Sequence, residues 1–281
     1  EKRGKTMKKR NLRIVTMLLA LVMLVTACGG GGKANNAGGE AAGDKAAEGK
    51  ILRTNNSSEP GTLDPALATG THDSFPMQHM YEGLMKYNEK GEIVQGVAKE
   101  MKVSDDGLTY TFTLRDDAKW SNGDPVTAQD FEFAWKRVLN PETASEYSYQ
   151  LYYLKNGEAY NNGKATVDQV GVKALDDKTL EVTLESPTEY FPSLTAFYTY
   201  YPVEKKTVEA NPDWAKDPKA GDFVTNGAFK CVDWKHNEAI ELVKNDQYYD
   251  ADKVKLAGIH FDIIEDQNTA WQRYEGGEYD F

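Results

Sequence analysis

Between residues 108 and 115 the chain alternates Leu108, Tyr110, Phe112 and Leu114 with Thr109, Thr111, Thr113 and Arg115. A period of two in aromatic and β-branched residues predicts a strand with one apolar face. Turn residues Ser121-Asn122-Gly123-Asp124-Pro125 follow, and then the period changes: Phe131, Trp135 and Val138 fall at steps of four and three. That spacing is the stripe of a helix buried along one side. Thr127 is placed to open it, its hydroxyl accepting from the amide three residues on, and Asp130 suits the positive end of the helix dipole. Asn140-Pro141 closes it, because proline disfavours helical geometry in the residue before it.

The same reading extends along the chain. Ile51-Leu52-Arg53-Thr54 predicts a short strand, and residues 73–82 a helix with Phe75, His79 and Met80 or Glu82 on one side. Asn88-Glu89-Lys90-Gly91-Glu92 is a hairpin turn. Residues 144–154, rich in tyrosine (Tyr147, Tyr149, Tyr152, Tyr153), predict a second helix. Residues 171–184 predict a hairpin around Asp176-Asp177-Lys178. Tyr190-Phe191-Pro192 begins a short helix, and residues 198–202 form a further apolar crossing. Two alternating segments (230–235 and 239–244), a buried-type strand at 259–264, a helix at 266–274 and a strand from Gly277 complete the pattern, which is mixed α/β.

The amino end follows other rules. Lys8, Lys9, Arg10 and Arg13 precede an apolar run from Ile14 to Val25, whose twelve residues fall short of the roughly 20 a lone membrane-spanning helix needs. Val25-Thr26-Ala27-Cys28 places small residues just before a cysteine, as in a lipoprotein signal. Residues 7–27 are therefore expected to be a signal peptide, with Cys28 the lipidated residue, and Glu1 to Thr6 to precede the initiator Met7. Residues 28–49 contain Gly, Ala, Asn, Lys and Glu and no large apolar side chain, the composition of a flexible tether.

Charge narrows the partners. The 281-residue chain has 33 Lys and Arg against 44 Asp and Glu; with the seven basic residues and one Glu of 1–27 set aside, 26 face 43, a net charge of −17. Nucleic acid and anionic surfaces are poor partners for such a chain, since phosphate binding needs clustered cations. Beyond Cys28 the one cysteine is Cys231, in an alternating segment that suggests a small buried hydrophobe. Sequence motifs for nucleophilic, metal-dependent or nucleotide-dependent catalysis do not occur. His72, His79, His236 and His260 lack metal-ligand spacing, Asp246, Asp250 and Asp252 read as a solvated turn, and Asp105-Asp106 and Asp116-Asp117 read as turn residues. Neither catalytic residues, a metal site nor a cofactor is expected.

The order of residues says more than their periodicity. Leu-Arg-Asp-Asp-Ala-Lys-Trp-Ser-Asn-Gly-Asp-Pro-Val-Thr-Ala-Gln-Asp-Phe (114–131) closely resembles the signature of the family 5 extracellular solute-binding proteins, the peptide-binding components of ABC importers, with the oligopeptide-binding lipoproteins most similar. Thr62-Leu63-Asp64-Pro65 with Tyr81-Glu82-Gly83-Leu84, Asn226-Gly227-Ala228-Phe229, and Asn245-Asp246-Gln247-Tyr248-Tyr249-Asp250 match further elements of that family. The resemblance implies a two-lobed α/β fold of the type II periplasmic-binding-protein class. This chain would hold most of the first lobe (50–81 and 203–281) with an inserted subdomain (82–202), while relatives continue through a second lobe. It implies a monomeric receptor, lipid-anchored on the extracytoplasmic face of the cell membrane, that hands oligopeptides to ABC permease subunits. By position, Thr69, Gly70 and Thr71 would touch ligand through their backbone, and Tyr147 would face it, although packing alone also accounts for Tyr147. Alternatives within the resemblance are a signalling peptide, metal chelate, opine or sugar as solute; outside it stands a surface-anchored hydrolase or adhesin.

The signal reading makes a direct prediction. Intact mass of membrane-extracted protein is expected to show cleavage behind Ala27 and diacylglycerol on Cys28, and Cys28→Ser to release the protein. An unmodified Cys28 in a soluble secreted product would refute the signal assignment.

Overall fold

The computed structural model describes residues 49–221 and 223–281. The expectations for residues 7–27 and for 28–48, Cys28 among them, lie outside the described residues. Among the described residues, ten strands run in chain order: β1 (Ile51–Asn55), β2 (Met85–Tyr87), β3 (Ile93–Gln95), β4 (Ala98–Val103), β5 (Thr109–Leu114), β6 (Val172–Ala174), β7 (Thr179–Thr183), β8 (Phe229–Lys235), β9 (Ala239–Lys244) and β10 (Gly258–Asp262). They form one four-stranded sheet of order β1-β10-β9-β8, a second of order β4-β5-β7-β6, and the β2-β3 hairpin. No helix among these residues is long and apolar enough to cross a membrane.

The alternation at 108–115 becomes β5, with Tyr110, Phe112 and Leu114 buried and the threonines between them half-buried. Phe112 lies opposite Leu180 and Tyr110 opposite Val182, so the apolar face continues into β7. The helix Ala128–Leu139 packs on β6 and β7 of this all-antiparallel sheet. Its stripe is buried as the spacing required: Phe131 and Trp135 are fully enclosed and Val138 nearly so. The Trp135 indole donates to the Tyr200 carbonyl at 2.9 Å and meets the Tyr200 and Phe191 rings edge-on. At the helix start, one Asp130 oxygen accepts from both the amide and the hydroxyl of Thr127, and also from the Trp120 indole at 3.2 Å. The other accepts from the Lys205 amide. A capping carboxylate thus also joins three segments.

Residues 144–154 are not a helix. Two short 3₁₀ turns, Pro141–Thr143 and Ser148–Leu151, occupy the region, and Ala144 between them has φ 52°. The buried positions are Ser145, Ser148, Leu151 and Leu154, a strict period of three that suits three residues per turn rather than 3.6. The four tyrosines suggested a helical stripe, but the burial follows different residues.

In the other sheet, β1 runs parallel to β10 and the remaining pairs are antiparallel. The helix Thr71–Met80, expected two residues later, packs on β8. It carries Pro76 in its interior, which removes the amide that would bond to the His72 carbonyl. The Asn56 side chain supplies that bond instead, at 2.9 Å. Cys231 is buried in β8, and burial pushes its thiol up to about 12, so it acts as a small hydrophobe. His79 stands against Phe75, Phe261 and Phe229, with ring centroids 5.7, 5.9 and 6.3 Å away.

Burial in that aromatic setting lowers the His79 pKa from 6.5 to about 4. A base whose folded pKa is depressed contributes stability at pH above 6.5 that is lost as pH falls towards 4 and is gone below it. The expected loss is on the order of 3 kcal/mol. Urea midpoints measured from pH 7 to 4 are expected to fall more steeply for the wild type than for His79→Phe. Parallel slopes would mean that His79 is solvated.

Candidate functional site

The segment Asn226-Gly227 holds the site together. The buried Asn226 side chain pairs with the main chain of Glu82 in both directions, accepting from its N–H at 3.0 Å and donating to its carbonyl at 2.9 Å. Gly227 donates to the Met80 carbonyl at 2.7 Å, and a Cβ there would lie 2.4 Å from the carbonyl carbon of Met80, so only glycine fits. Asn245 in turn donates to the Gly227 carbonyl at 2.8 Å. Glu82 is 7% exposed. One of its carboxylate oxygens accepts from Tyr249, and the other from Tyr248 and Lys86. The Lys86 ammonium also donates to both tyrosine hydroxyls, at 3.1 and 2.8 Å, so its three protons and both carboxylate oxygens are engaged. Burial, and after it the Glu82 charge, holds both phenols far above their ordinary pKa and therefore neutral. The Arg115 guanidinium carbon lies over the Tyr249 ring, 3.8 Å from its centroid.

A parallel tie secures Asp64. Its carboxylate takes a two-pronged bond from Arg137, at 2.8 and 2.5 Å, and accepts from the Ala66 amide. Burial works against the guanidinium charge, but Asp64 more than offsets it and Arg137 sits above its ordinary value.

Beside these ties lies a cavity of about 480 Å³. Thr69, Gly70, Thr71 and Tyr147, the four residues expected to meet ligand, all line it. The loop's contribution differs in kind from a row of free amides. The Asp73 carboxylate accepts from the N–H groups of Thr69 and Gly70, at 3.0 and 2.8 Å, and from Gly61 at 2.7 Å. The Gly70 carbonyl is taken by the Ser74 amide. Whatever the loop offers a ligand, it is not the Thr69 or Gly70 N–H. Tyr147 is half-buried and stacks on Phe197 and Tyr198, with centroids 6.3 and 6.0 Å away, so it packs and lines the cavity at once.

Phe197, Tyr198, Gln78, Glu82 and Lys86 also border the space, and the sequence reading had not marked them as site residues. The run Phe197-Tyr198-Thr199-Tyr200-Tyr201 carried no local signal, since Tyr198, Tyr200 and Tyr201 are buried in the core and Phe197 packs against it. Burial raises the phenol pKa of Tyr198 and Tyr201, so both hydroxyls stay protonated. Glu82 and Lys86 are the acidic and basic side chains on this wall, and each is occupied by the other and by the two tyrosines. The arrangement is a lined, internally satisfied surface suited to holding a ligand. Among the described residues, no group of three or more His, Cys, Asp or Glu is placed to hold a metal ion.

The profile of the bacterial extracellular solute-binding proteins, family 5 (middle region), matches residues 92–281. The oligopeptide-binding protein OppA of Bacillus subtilis is 48% identical over 277 residues, covering 98% of this chain and 50% of that protein. A crystal structure of the substrate-binding domain of an oligopeptide ABC transporter from Bacillus anthracis superposes with a TM-score of 0.79 at 40% identity, covering 84% of this chain and 46% of the other. Listeria monocytogenes OppA bound to peptide gives 0.79 at 38%, covering 83% and 46%. The chain thus spans about half the length of the relatives it matches, and its mixed α/β fold is that of the type II periplasmic binding proteins.

The geometry makes Asn226 a critical tie. Asn226→Ala would leave the buried N–H and carbonyl of Glu82 without partners, each worth about 1–3 kcal/mol. Chemical denaturation is expected to show a loss of roughly 2–6 kcal/mol. A loss under about 1 kcal/mol would mean that water or a main-chain shift replaces the pair.

Proposed function

Because the chain belongs to the family 5 bacterial extracellular solute-binding proteins, we propose that it forms one wall of the oligopeptide cleft of a receptor that delivers peptides to an ABC importer. The observation that carries this reading is the convergence on one cavity of the Thr69-Gly70-Thr71 loop and of Tyr147, distant from it in sequence, both chosen for their match to the family. The names of OppA of Bacillus subtilis and of the peptide-bound Listeria protein support peptide as the solute. A peptide lying extended against such a wall exposes the same backbone groups whatever its sequence, which suits capture that tolerates many sequences.

The proposal has further parts. Residues 50–81 and 203–281 act as the first lobe, supported by the pairing of β1 with β10, and residues 82–202 act as an insertion with its own sheet. The receptor works as a monomer outside the cytoplasm, tethered through lipid on Cys28 and the 28–49 segment, and meets the permease subunits of its transporter at the membrane. The opposite wall of the cleft comes from the portion of the relatives that this chain does not span.

One wall alone binds weakly. A hydrogen bond exchanged against water nets about 0.5–1.5 kcal/mol, while association costs at least ~4 kcal/mol in lost freedom. Titration of mixed tri- to pentapeptides is expected to give no tight binding to the 281-residue chain and clear binding to a version extended to the length of its relatives. Micromolar binding by the 281-residue chain would sink the two-wall argument. Failure of the extended version to bind any peptide, with another solute bound instead, would sink the peptide assignment.

A further inference from the structure

We infer that His260 is a pH-sensitive clasp between the β1-β10-β9-β8 sheet and the helix Gln267–Glu275. The helix and residues 277–281 are held tightly while the imidazole is charged and are loosened once it is neutral. The clasp is a property of the folded chain and does not depend on which solute a receptor would take.

Register places the groups. On the face of β10 turned away from buried Ile259 and Phe261, His260 lies between Glu241 of β9 and Arg53 of β1. Its Nδ1 is 2.6 Å from a Glu241 carboxylate oxygen, and its Nε2 is 3.1 Å from an Asp262 oxygen. A neutral imidazole has one N–H and one lone pair, so it can satisfy only one of these carboxylates, whereas the imidazolium donates to both. The second Asp262 oxygen accepts from Arg273 at 2.7 Å and from the Tyr279 hydroxyl at 2.9 Å. Asp262 therefore joins His260 through one oxygen, and the helix and the segment after it through the other. Loss of the imidazole proton leaves a carboxylate facing a lone pair at this joint.

The neighbouring charges are already engaged. Arg53 donates to Asp280 and to the Gly277 carbonyl, and Lys50 also pairs with Asp280. Glu278 lies 3.7 Å from Arg273. Asp233, opposite Glu241 on β8, pairs with Lys219 at 2.8 Å. Among the described residues, Glu241 has no ion-pair partner but His260.

Burial works against the His260 charge, but the bonds to Glu241 and Asp262 more than offset it and hold its pKa above the ordinary 6.5. A raised folded pKa gives stability that is fully present below pH 6.5 and is lost as pH rises through the folded value. His79 has the opposite sign. Its ring lies 5.9 Å from Phe261, on the other face of β10, and burial favours its neutral form. Strand β10 thus lies between a histidine that favours charge and one that resists it, which sets a pH window with losses on both sides.

Amide hydrogen exchange of the 281-residue chain, corrected for the intrinsic pH dependence of exchange, tests the clasp. Protection of residues 267–281, relative to the helix Ala128–Leu139, is expected to fall about two- to fivefold from about pH 5.5 to about pH 8.5, the effect of a part-exposed ion pair. In His260→Gln the same residues are expected to be weakly protected at both ends of that range. In His260→Lys, whose charge persists, they are expected to keep their protection at the upper end, a gain over the wild type that misfolding cannot imitate. Wild-type protection that does not change with pH would overturn the clasp. So would a fall of the wild-type size in either His260→Gln or His260→Lys.

Discussion

A carboxylate held out of water, that of Glu82, is the constraint on which the site depends. A buried charge is tolerated only when its bonds are met, and removing one partner of such a group costs several kcal/mol. Here the partners come from separate stretches of chain: Lys86 from the adjoining strand, Tyr248 and Tyr249 from the turn after β9, and the Asn226 amide clasping the Glu82 main chain. The segments must therefore arrive together. Once they do, Tyr81 is stacked on Tyr201, and Gly83 lies so close to the Thr195 carbonyl that a Cβ would stand 2.2 Å from it. Tyr81, Gly83 and Tyr201 all border the cavity.

That arrangement explains which parts of the molecule were legible in the chain. The β5 strand and the Ala128–Leu139 helix could be read because their burial has a simple period and their ends carry local chemistry, the Thr127–Asp130 cap and Asn140-Pro141. The 144–154 region misled because its tyrosines drew attention from the three-residue spacing of its buried positions. Residues 69–71 and Tyr147 could be placed only through the resemblance of flanking motifs. The role of Glu82 could not be read locally, because Asn226 is 144 residues away and Tyr249 167 residues away. Phe197 and Tyr198 escaped notice because nothing in their own periodicity separates a cavity wall from a core.

The cavity wall is also chemically quiet. Its ion pair is closed on itself, its loop amides at Thr69 and Gly70 are held by Asp73, and burial keeps the Tyr198 and Tyr201 phenols protonated. The wall offers shape and ring area. Both agree with membership of a solute-binding family.

The central claim is that peptide lies against this wall, and photo-crosslinking addresses it most directly. A pentapeptide carrying a benzophenone side chain would be irradiated with a version of the protein extended to the length of its relatives, and the adducts located by peptide mapping. The account predicts labelling at residues 69–71, Tyr147 and the 197–198 rings, abolished by excess unlabelled peptide. Competed labelling confined to other surfaces, such as the exposed Trp271 and Tyr274, would contradict it.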